Sequence, residues 1–301
     1  ATIAYTQEAL TGASHKKVGP RFIPKILGNI AAANIAIDYN IQGPSFTVST
    51  ACSSGGDAIN TACMCMQSGK ADIMLAVGAE SVLCPLVIYS LANAKALSRR
   101  NDSPSTASRP FDVTRDGFVI GEGGGALVLE TEEHALARGA KIYAEIRGCG
   151  NTDDAYHVTA PHPEGRGAIA CMKQAIAEAG INPSDIGYIN AHGTATNKGD
   201  TVETSSIKKV FGNTLPYVSS TKGATGHMMG AGGITETITC VKAIETGTVP
   251  PTINLNEVDP ECAGIDFVAN IAKKAEINFA MSNAFGFGGQ NSSIIVGKYG
   301  K

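Results

Sequence analysis

The sequence predicts an α/β fold, because runs of β-forming residues alternate along the chain with segments whose apolar residues recur at helical spacing. Of the 301 residues, 43% are hydrophobic, but only 6% are aromatic and none is Trp. The core is therefore expected to consist of small aliphatic side chains. The 35 glycines make up about 12% of the chain, against a usual share of about 7%, which indicates close packing of backbone against backbone.

Each element is predicted from its local pattern of apolar residues and its flanking Gly and Pro residues, with Gly180 as the expected C-terminal stop of one helix. The predicted helices are 26–37, 53–66, 132–138, 165–179, 202–211 and a segment from about 230 to 245. The predicted strands are 45–51, 73–77, 126–130, 142–149, 186–191, 217–220, 267–268, 279–282 and 292–296. Residues 98–116 are polar, contain two prolines and are predicted to form a loop.

No linker-like tract divides the chain, so two closely packed α/β halves are expected rather than separate domains. Segments 48–59 and 218–238 share the order strand, glycine-rich loop and helix, which indicates an internal duplication. The boundary is placed so that the halves comprise residues 1–141 and 142–301.

Charge and composition exclude several classes of function. With 24 Lys and Arg against 27 Asp and Glu, the net charge is −3, and the basic excess typical of a nucleic-acid-binding protein is absent. The most apolar stretch, 71–94, is interrupted by Asp72 and Glu80 and is not expected to span a membrane. Eight cysteines without a CxxC pair predict free thiols in a reducing compartment, and no signal peptide is expected from the first residues.

Cys52 is the first candidate for catalysis, because a predicted strand ends there and a helix begins with the small residues SSGG. A helix N-terminus presents free N–H groups and the positive end of a dipole, which favour a thiolate. The small neighbours leave room for a substrate. Taken alone, Cys52 fits a buried structural cysteine at least as well, and core packing is expected for the other seven.

Two histidines follow predicted strands in the same way. His192 lies in AHGTAT after the strand 186–191, and His227 lies in KGATGH after the strand 217–220. Open α/β sheets place their sites at the C-terminal ends of strands, so one Cys and two His at three such ends predict a joint site. Singly, each histidine fits a core or helix-capping role. The remaining four have no comparable setting: His15, His134, His157 and His162.

The segment NAFGFGGQN, residues 283–291, is a further candidate. Alternating Gly and Phe suits a turn whose N–H groups approach a ligand, although a tight turn with two buried Phe side chains gives the same pattern. The sequence has no HExxH, no P-loop, no GxSxG and no GxGxxG after a strand, which disfavours metal, phosphate, serine-hydrolase and dinucleotide sites.

Four motifs together resemble those of the β-ketoacyl-acyl carrier protein synthases: TACSSG (50–55), NAHGTAT (190–196), STKGATGH (220–227) and NAFGFGGQN (283–291). The likeness also covers 108–125 and 249–255, begins near residue 12 and is strongest to the elongating type I/II enzymes. The resemblance implies a thiolase-like duplicated fold in layers α-β-α-β-α. About a hundred residues that open the family's chains are missing from this sequence, so its first half is expected to lack an opening strand and helices.

The resemblance places the family's Cys-His-His set on Cys52, His192 and His227. Initiating condensing enzymes use Cys-His-Asn instead, and thiolases have a second Cys in a C-x-G-x-G motif where this chain has FGFGG. By the same likeness Lys222 lies near His227, with Glu236 as its ion-pair partner.

The backbone N–H groups of Cys52 and Phe287 are implied as the oxyanion hole, which stabilises negative charge developing on a carbonyl oxygen. The residues implied in substrate binding are Thr194, Thr196, Phe285, Gly288 and Leu91. A basic segment fits docking of an acidic carrier protein, although a solvated basic loop would have the same composition. The docking candidates are Lys16, Lys17, Arg21 and Lys95.

The implied activity is an acyltransferase reaction, the decarboxylative Claisen condensation of an acyl thioester with malonyl-acyl carrier protein. It passes through an acyl-Cys52 intermediate and needs no metal or other cofactor, since phosphopantetheine arrives on the carrier protein. A homodimer without nucleic-acid or membrane partners is expected, in the cytoplasm or a plastid-type organelle. Two alternatives remain: a ketosynthase domain of a polyketide synthase, and a non-catalytic partner of the chain-length-factor kind, which typically lacks the nucleophile.

Overall fold

The computed structural model describes residue 6 and residues 18–300. The helices within 18–300 are α1 (Phe22–Ile26), α2 (Ile30–Tyr39), α3 (Ser54–Gln67), α4 (Pro85–Asn93), α5 (Glu132–Ala137), α6 (Arg166–Ala179), α7 (Asn197–Phe211), α8 (Lys222–Thr225) and α9 (Gly232–Thr246). The strands are β1 (Ile73–Glu80), β2 (Gly123–Glu130), β3 (Glu145–Asp153), β4 (Ile186–Asn190), β5 (Tyr217–Ser219), β6 (Thr248–Val249), β7 (Lys273–Lys274), β8 (Phe279–Phe285) and β9 (Gln290–Gly297).

The strands form one large sheet and two small ones. The large sheet has the order β3-β9-β8-β4-β5, in which β4 is parallel to β5 and β8, and β9 is antiparallel to β8 and β3. Strands β1 and β2 form an antiparallel ribbon, and β6 pairs with β7.

Helices α3 and α9 lie between the large sheet and the β1–β2 ribbon and contact both, while α6 packs on the other face of the large sheet beside α7. Successive residues of β8 and β9 contribute to different cores. Met281 and Ile295 pack toward α6 and α7, whereas Ala280 and Ile294 pack toward Ile59 of α3 and Ile234 of α9. A strand buried on both faces reads as a continuous apolar run, and the layered α/β arrangement follows from it.

Glycines allow the first turns of α3 and α9 to meet backbone to backbone. A Cβ atom on Gly55 would lie 2.6 Å from the Ile234 nitrogen, and one on Gly233 would lie 2.5 Å from the Gly56 nitrogen. This contact explains part of the glycine excess and places the turn that precedes α3 against the turn that precedes α9.

Most predicted elements are present with shifted ends, and Gly180 does end α6 in a left-handed conformation. The predicted strand 45–51 is wrong: this segment is irregular and mostly exposed, and no strand of the described chain pairs with it. Residues 267–268 make a single bridge with Val218 rather than a strand. Helix α4 was not predicted, because its sequence PLVIYSLAN is rich in β-branched and aromatic residues that also suit a strand. Across residues 18–300 and residue 6, no helix has the length and apolarity needed to cross a bilayer.

Candidate active site

Cys52 lies in a 3₁₀ turn, Ala51–Ser53, that leads directly into α3. Ala51 has φ +51°, a left-handed conformation that is unfavourable for a residue with a side chain and persists only where surrounding contacts enforce it. The Cys52 side chain is 8% exposed and lines a cavity. The sharp turn expected before the helix is therefore present, although the strand expected before it is not.

The structure brings the three predicted catalytic side chains together. His227 Nε2 lies 3.0 Å from Cys52 Sγ, and the imidazole rings of His192 and His227 are 5.3 Å apart at an angle of 85°. Each histidine is held through its backbone. The N–H of His227 donates to Val119 O at 2.7 Å, and that of His192 donates to Glu203 Oε1 at 2.8 Å.

Both histidines are neutral at neutral pH. Burial lowers the pKa of His192 and of His227 well below the usual 6.5, and the positive charge of Lys222 acts in the same direction. Within residues 18–300, Nδ1 of each ring has no hydrogen-bond partner. A buried N–H without an acceptor is rarer than an acceptor without a donor, so we assign the single ring hydrogen of each histidine to Nε2.

Burial raises the pKa of the Cys52 thiol from an ordinary value of 9.0 to about 11. The N–H of Phe287, the charge of Lys222 and the N–H of Cys52 itself act in the opposite direction but do not outweigh it. The N–H groups therefore favour the thiolate, as expected, but burial has the larger effect on the pKa. The resting group is a thiol, and the N–H groups stabilise negative charge once it forms.

The loop 286–289 approaches the nucleophile from the end of β8. A Cβ atom on Gly286 would lie 2.7 Å from Thr50 O and 3.3 Å from the Cys52 nitrogen, so only glycine fits there. The N–H groups of Phe287 and Cys52 both lower the pKa of the Cys52 thiol, so both lie close to the sulfur, where the resemblance places the oxyanion hole. The Phe287 ring is 40% exposed and lines the cavity.

Lys222 and Glu236 form a buried ion pair through Nζ and Oε1, with side chains 2% and 4% exposed. The pairing predicted from the sequence is therefore present. Lys222 does not line the cavity, but its charge acts on Cys52 and on both histidines. The structure therefore gives Lys222 an electrostatic influence on these three groups.

The cavity has a volume of about 770 Å³, which is large enough for a small-molecule ligand or an acyl chain. The predicted substrate-binding residues that line it are Leu91, Thr194, Thr196 and Phe285. The hydroxyl groups of Thr194 and Thr196 are 3.0 Å apart, and the Phe285 ring lies 5.8 Å from that of His192. Gly288 is exposed, is not part of the cavity wall, and donates its N–H to Val158 O at 2.7 Å.

Sequence reasoning missed Glu203, whose buried carboxylate accepts the N–H groups of His192 and Gly193 at 2.8 and 2.7 Å. Burial raises the pKa of Glu203 to about 7, and these two N–H groups lower it in part. Asp200, one turn earlier on α7, is also buried, and burial raises its pKa to about 6. The available signal was two acids three residues apart on the helix that follows the His192 loop.

The docking candidates fall in two groups. Arg21 and Lys95 are exposed, and Lys95 lies at the cavity wall. Lys16 and Lys17 lie outside the described residues. In the part of the chain that the structure describes, no group of three or more His, Cys, Asp or Glu side chains is arranged to hold a metal ion.

The chain matches the sequence profile "Beta-ketoacyl synthase, N-terminal domain" over residues 2–135 and "Beta-ketoacyl synthase, C-terminal domain" over residues 143–256. It is 47% identical to the 3-oxoacyl-[acyl-carrier-protein] synthase 2 of Rhizobium meliloti (strain 1021), over 94% of this chain and 68% of that one. The chain belongs to the β-ketoacyl synthase family. The Coxiella burnetii enzyme of the same name is 46% identical over 97% of this chain and 70% of its own.

Solved structures show the same family fold. A β-ketoacyl synthase from Burkholderia phymatum STM815 matches with a TM-score of 0.93 and 36% identity, over 99% of this chain and 72% of that one. A type II polyketide ketosynthase, solved in complex with its acyl-carrier protein, matches with a TM-score of 0.91 and 36% identity, over 95% and 70%. These matches confirm the thiolase-like fold, while the division of the halves at residue 141 stays a prediction.

Proposed function

We propose that this β-ketoacyl synthase condenses an acyl thioester with malonyl-acyl carrier protein to give 3-oxoacyl-acyl carrier protein in fatty acid elongation. The observation that carries the proposal is the cavity in which the Cys52 sulfur lies 3.0 Å from Nε2 of His227, with His192 beside it. Relatives named 3-oxoacyl-[acyl-carrier-protein] synthase 2, at 46–47% identity, support this activity.

In the first half-reaction, the Cys52 sulfur attacks the acyl thioester carbonyl. The tetrahedral oxyanion accepts hydrogen bonds from the N–H groups of Cys52 and Phe287. The C–S bond to the carrier protein then breaks, and the departing thiolate takes up the proton that Cys52 loses, so the step exchanges one thioester for another. Nε2–H of His227 donates to the sulfur as charge develops there.

In the second half-reaction, malonyl-acyl carrier protein loses CO₂ and leaves an enolate. Two neutral histidines can each donate Nε2–H to the enolate oxygen without protonating the carbon, which must remain nucleophilic. That carbon attacks the acyl-Cys52 carbonyl, and the C–S bond breaks. The products are 3-oxoacyl-acyl carrier protein, CO₂ and, after uptake of one proton, the free thiol.

A polyketide ketosynthase is the second candidate, because a type II polyketide ketosynthase matches the fold at 36% identity. A chain-length-factor-like partner is disfavoured, because Cys52 and both histidines are present and assembled. The acyl carrier protein is the expected partner, and a homodimer is proposed with it. Relatives in bacteria and in Arabidopsis mitochondria and chloroplasts support a proposed location in the cytoplasm or an organelle.

Acyl transfer tests the proposal directly. Labelled acyl-acyl carrier protein is expected to leave its acyl group on the peptide containing Cys52, and Cys52→Ala is expected to abolish the label. Folded wild-type protein without label would refute the proposal. Comparing a saturated acyl donor with a 3-oxoacyl donor separates the two candidates. A polyketide ketosynthase must reload 3-oxoacyl chains, whereas an elongating fatty acid enzyme receives chains whose 3-oxo group has been reduced.

A further inference from the structure

Asp57 is a buried acid outside the cavity wall, in the first turn of the helix that follows Cys52. It is 4% exposed and takes no part in the reaction proposed above. Removing an unpaired carboxylate from water is costly, so its partners decide what it does. Those partners lie on both sides of the nucleophile.

Three side-chain donors surround the Asp57 carboxylate, and one of them, the Ser53 hydroxyl, shares its single hydrogen with Thr50 O at 2.8 Å. The Oδ2 atom of Asp57 accepts the hydroxyl group of Thr50 and lies 3.0 Å from that of Ser53, while Oδ1 accepts Nδ2 of Asn151 at 2.6 Å. Thr50 and Ser53 are the residues immediately before and after Ala51 and Cys52. One carboxylate therefore bridges the two ends of the turn that holds the thiol.

The bridge adds to two hydrogen bonds within the turn, from Thr50 N–H to Ser54 Oγ and from Ser54 Oγ to Ala51 O, in holding Ala51 at φ +51°. A left-handed alanine relaxes unless contacts on both sides hold it. Relaxation of the turn would move the Cys52 sulfur relative to Nε2 of His227 and rotate the Cys52 N–H away from the oxyanion position. A misplacement of about 1 Å is enough to slow a reaction by about a hundredfold.

Asn151 anchors the bridge to the large sheet. It lies on β3, and its amide nitrogen is the donor to Oδ1, so it fixes the rotamer of Asp57. We propose that Asp57, oriented by Asn151, is a positioning residue that sets the reactivity of Cys52. The proposal refines the proposed function, since the reaction that it tunes is the acylation of Cys52.

The pair consists of one hydrogen-bond donor, the Asn151 amide, and one acceptor, the Asp57 carboxylate. Exchanging the two groups gives the decisive experiment. Asn151→Asp sets two carboxylates against each other, whereas Asp57→Asn combined with Asn151→Asp restores one amide donor and one carboxylate acceptor in reverse order. In the double variant the amide oxygen at position 57 still accepts Thr50 and Ser53. Ile59→Val is the matched control, because Ile59 is a fully buried apolar residue of the same helix that packs in the core with Ile234 and Ile294.

Three quantities are measured for each variant: the acylation rate at saturating acyl-acyl carrier protein, the half-saturating concentration, and the thermal midpoint. Asp57→Ala and Asn151→Asp are expected to slow acylation at least tenfold with the half-saturating concentration unchanged. The double variant is expected to return to within threefold of wild type. Ile59→Val is expected to lower the thermal midpoint but leave the rate within twofold.

The proposal is overturned if Asp57→Ala acylates within twofold of wild type, if the double variant is no faster than Asn151→Asp, or if Ile59→Val slows acylation as much as Asp57→Ala does. Should Asp57→Ala not fold, Asn151→Ala replaces it in the comparison, with the same expected direction. Alkylation of Cys52 by iodoacetamide is measured in parallel. The variants that acylate more slowly are expected to be alkylated more slowly as well. Because alkylation needs no acyl donor, it tests Asp57 even if the wild type fails to accept an acyl group.

Discussion

His227 Nε2 and Cys52 Sγ are 3.0 Å apart, and the Phe118 ring packs edge-on against the same imidazole at 5.2 Å between centroids. The imidazole therefore has an apolar neighbour in addition to the reacting sulfur, and burial keeps it uncharged. A neutral histidine stabilises the sulfur as a hydrogen-bond donor, not as a cation. The charge that favours the thiolate from a distance is that of Lys222.

The pH dependence of Cys52 reactivity follows from this environment. Burial raises the pKa of the thiol to about 11, so the neutral form predominates at all lower pH values. Alkylation by iodoacetamide, followed by mass spectrometry of the Cys52 peptide, is expected to accelerate about tenfold per pH unit from pH 7 to 10. A plateau beginning at pH 8 or below would show that the N–H groups outweigh burial.

The buried pair of Lys222 and Glu236 predicts separable effects on stability and on catalysis. Lys222→Met leaves the Glu236 carboxylate buried without its partner and is expected to lower the free energy of unfolding by about 3 to 5 kcal/mol. It also removes a charge that lowers the pKa of both histidines. The acid limb of the malonyl decarboxylation profile is therefore expected to move to higher pH.

The double variant Lys222→Met with Glu236→Leu is the control for this prediction. It removes both charges, so most of the unfolding free energy is expected to return, as measured by denaturant titration. The shift in the pH profile is expected to persist, because the charge of Lys222 is still absent. Recovery of the wild-type profile in the double variant would contradict an electrostatic role for Lys222.

The reacting groups could be identified from the sequence, but the direction in which the fold shifts their pKa values could not. Cys52, His192 and His227 were predictable because each lies in a short glycine-rich motif that determines its own turn. The direction of the Cys52 pKa shift was not predictable, because it depends on burial by segments distant in the chain. Asp57 and Glu203 were missed for the same reason: their partners are backbone or side-chain groups that only the folded chain brings near.

Local pattern was also insufficient where tertiary contacts decide secondary structure. Residues 45–51 have the composition of a strand, but a strand needs a hydrogen-bonded neighbour, and this segment has none in the described part of the chain. Helix α4 shows the converse, since residues that suit a strand form a helix after Pro85, which occupies its first turn.

The close backbone contact at Gly286 allows the oxyanion hole to be tested with a purely steric substitution. In Gly286→Ala, the new Cβ meets Thr50 O at 2.7 Å and must push the loop away from the Cys52 nitrogen. The expected result is a fall in kcat of about a hundredfold, with KM for the acyl donor little changed. Gly187→Ala is the matched control, because its Cβ would meet no atom closer than 3.7 Å, and steady-state assays of the two variants make the comparison. Equal activity of the two variants would show that the Phe287 N–H does not need to lie this close to the Cys52 nitrogen.

Lys95 predicts an electrostatic contribution to carrier-protein docking. It is exposed at the cavity wall, so Lys95→Glu is expected to raise KM for acyl-acyl carrier protein several-fold at low salt and to leave kcat unchanged. The difference is expected to shrink as ionic strength rises, because salt screens exposed charges. Lys70→Glu is the control, since Lys70 is exposed beyond the far end of α3, about 20 Å from the nucleophile by the rise of the helix. If both variants raise KM equally, or if the effect of Lys95→Glu does not depend on salt, Lys95 is not part of the docking surface.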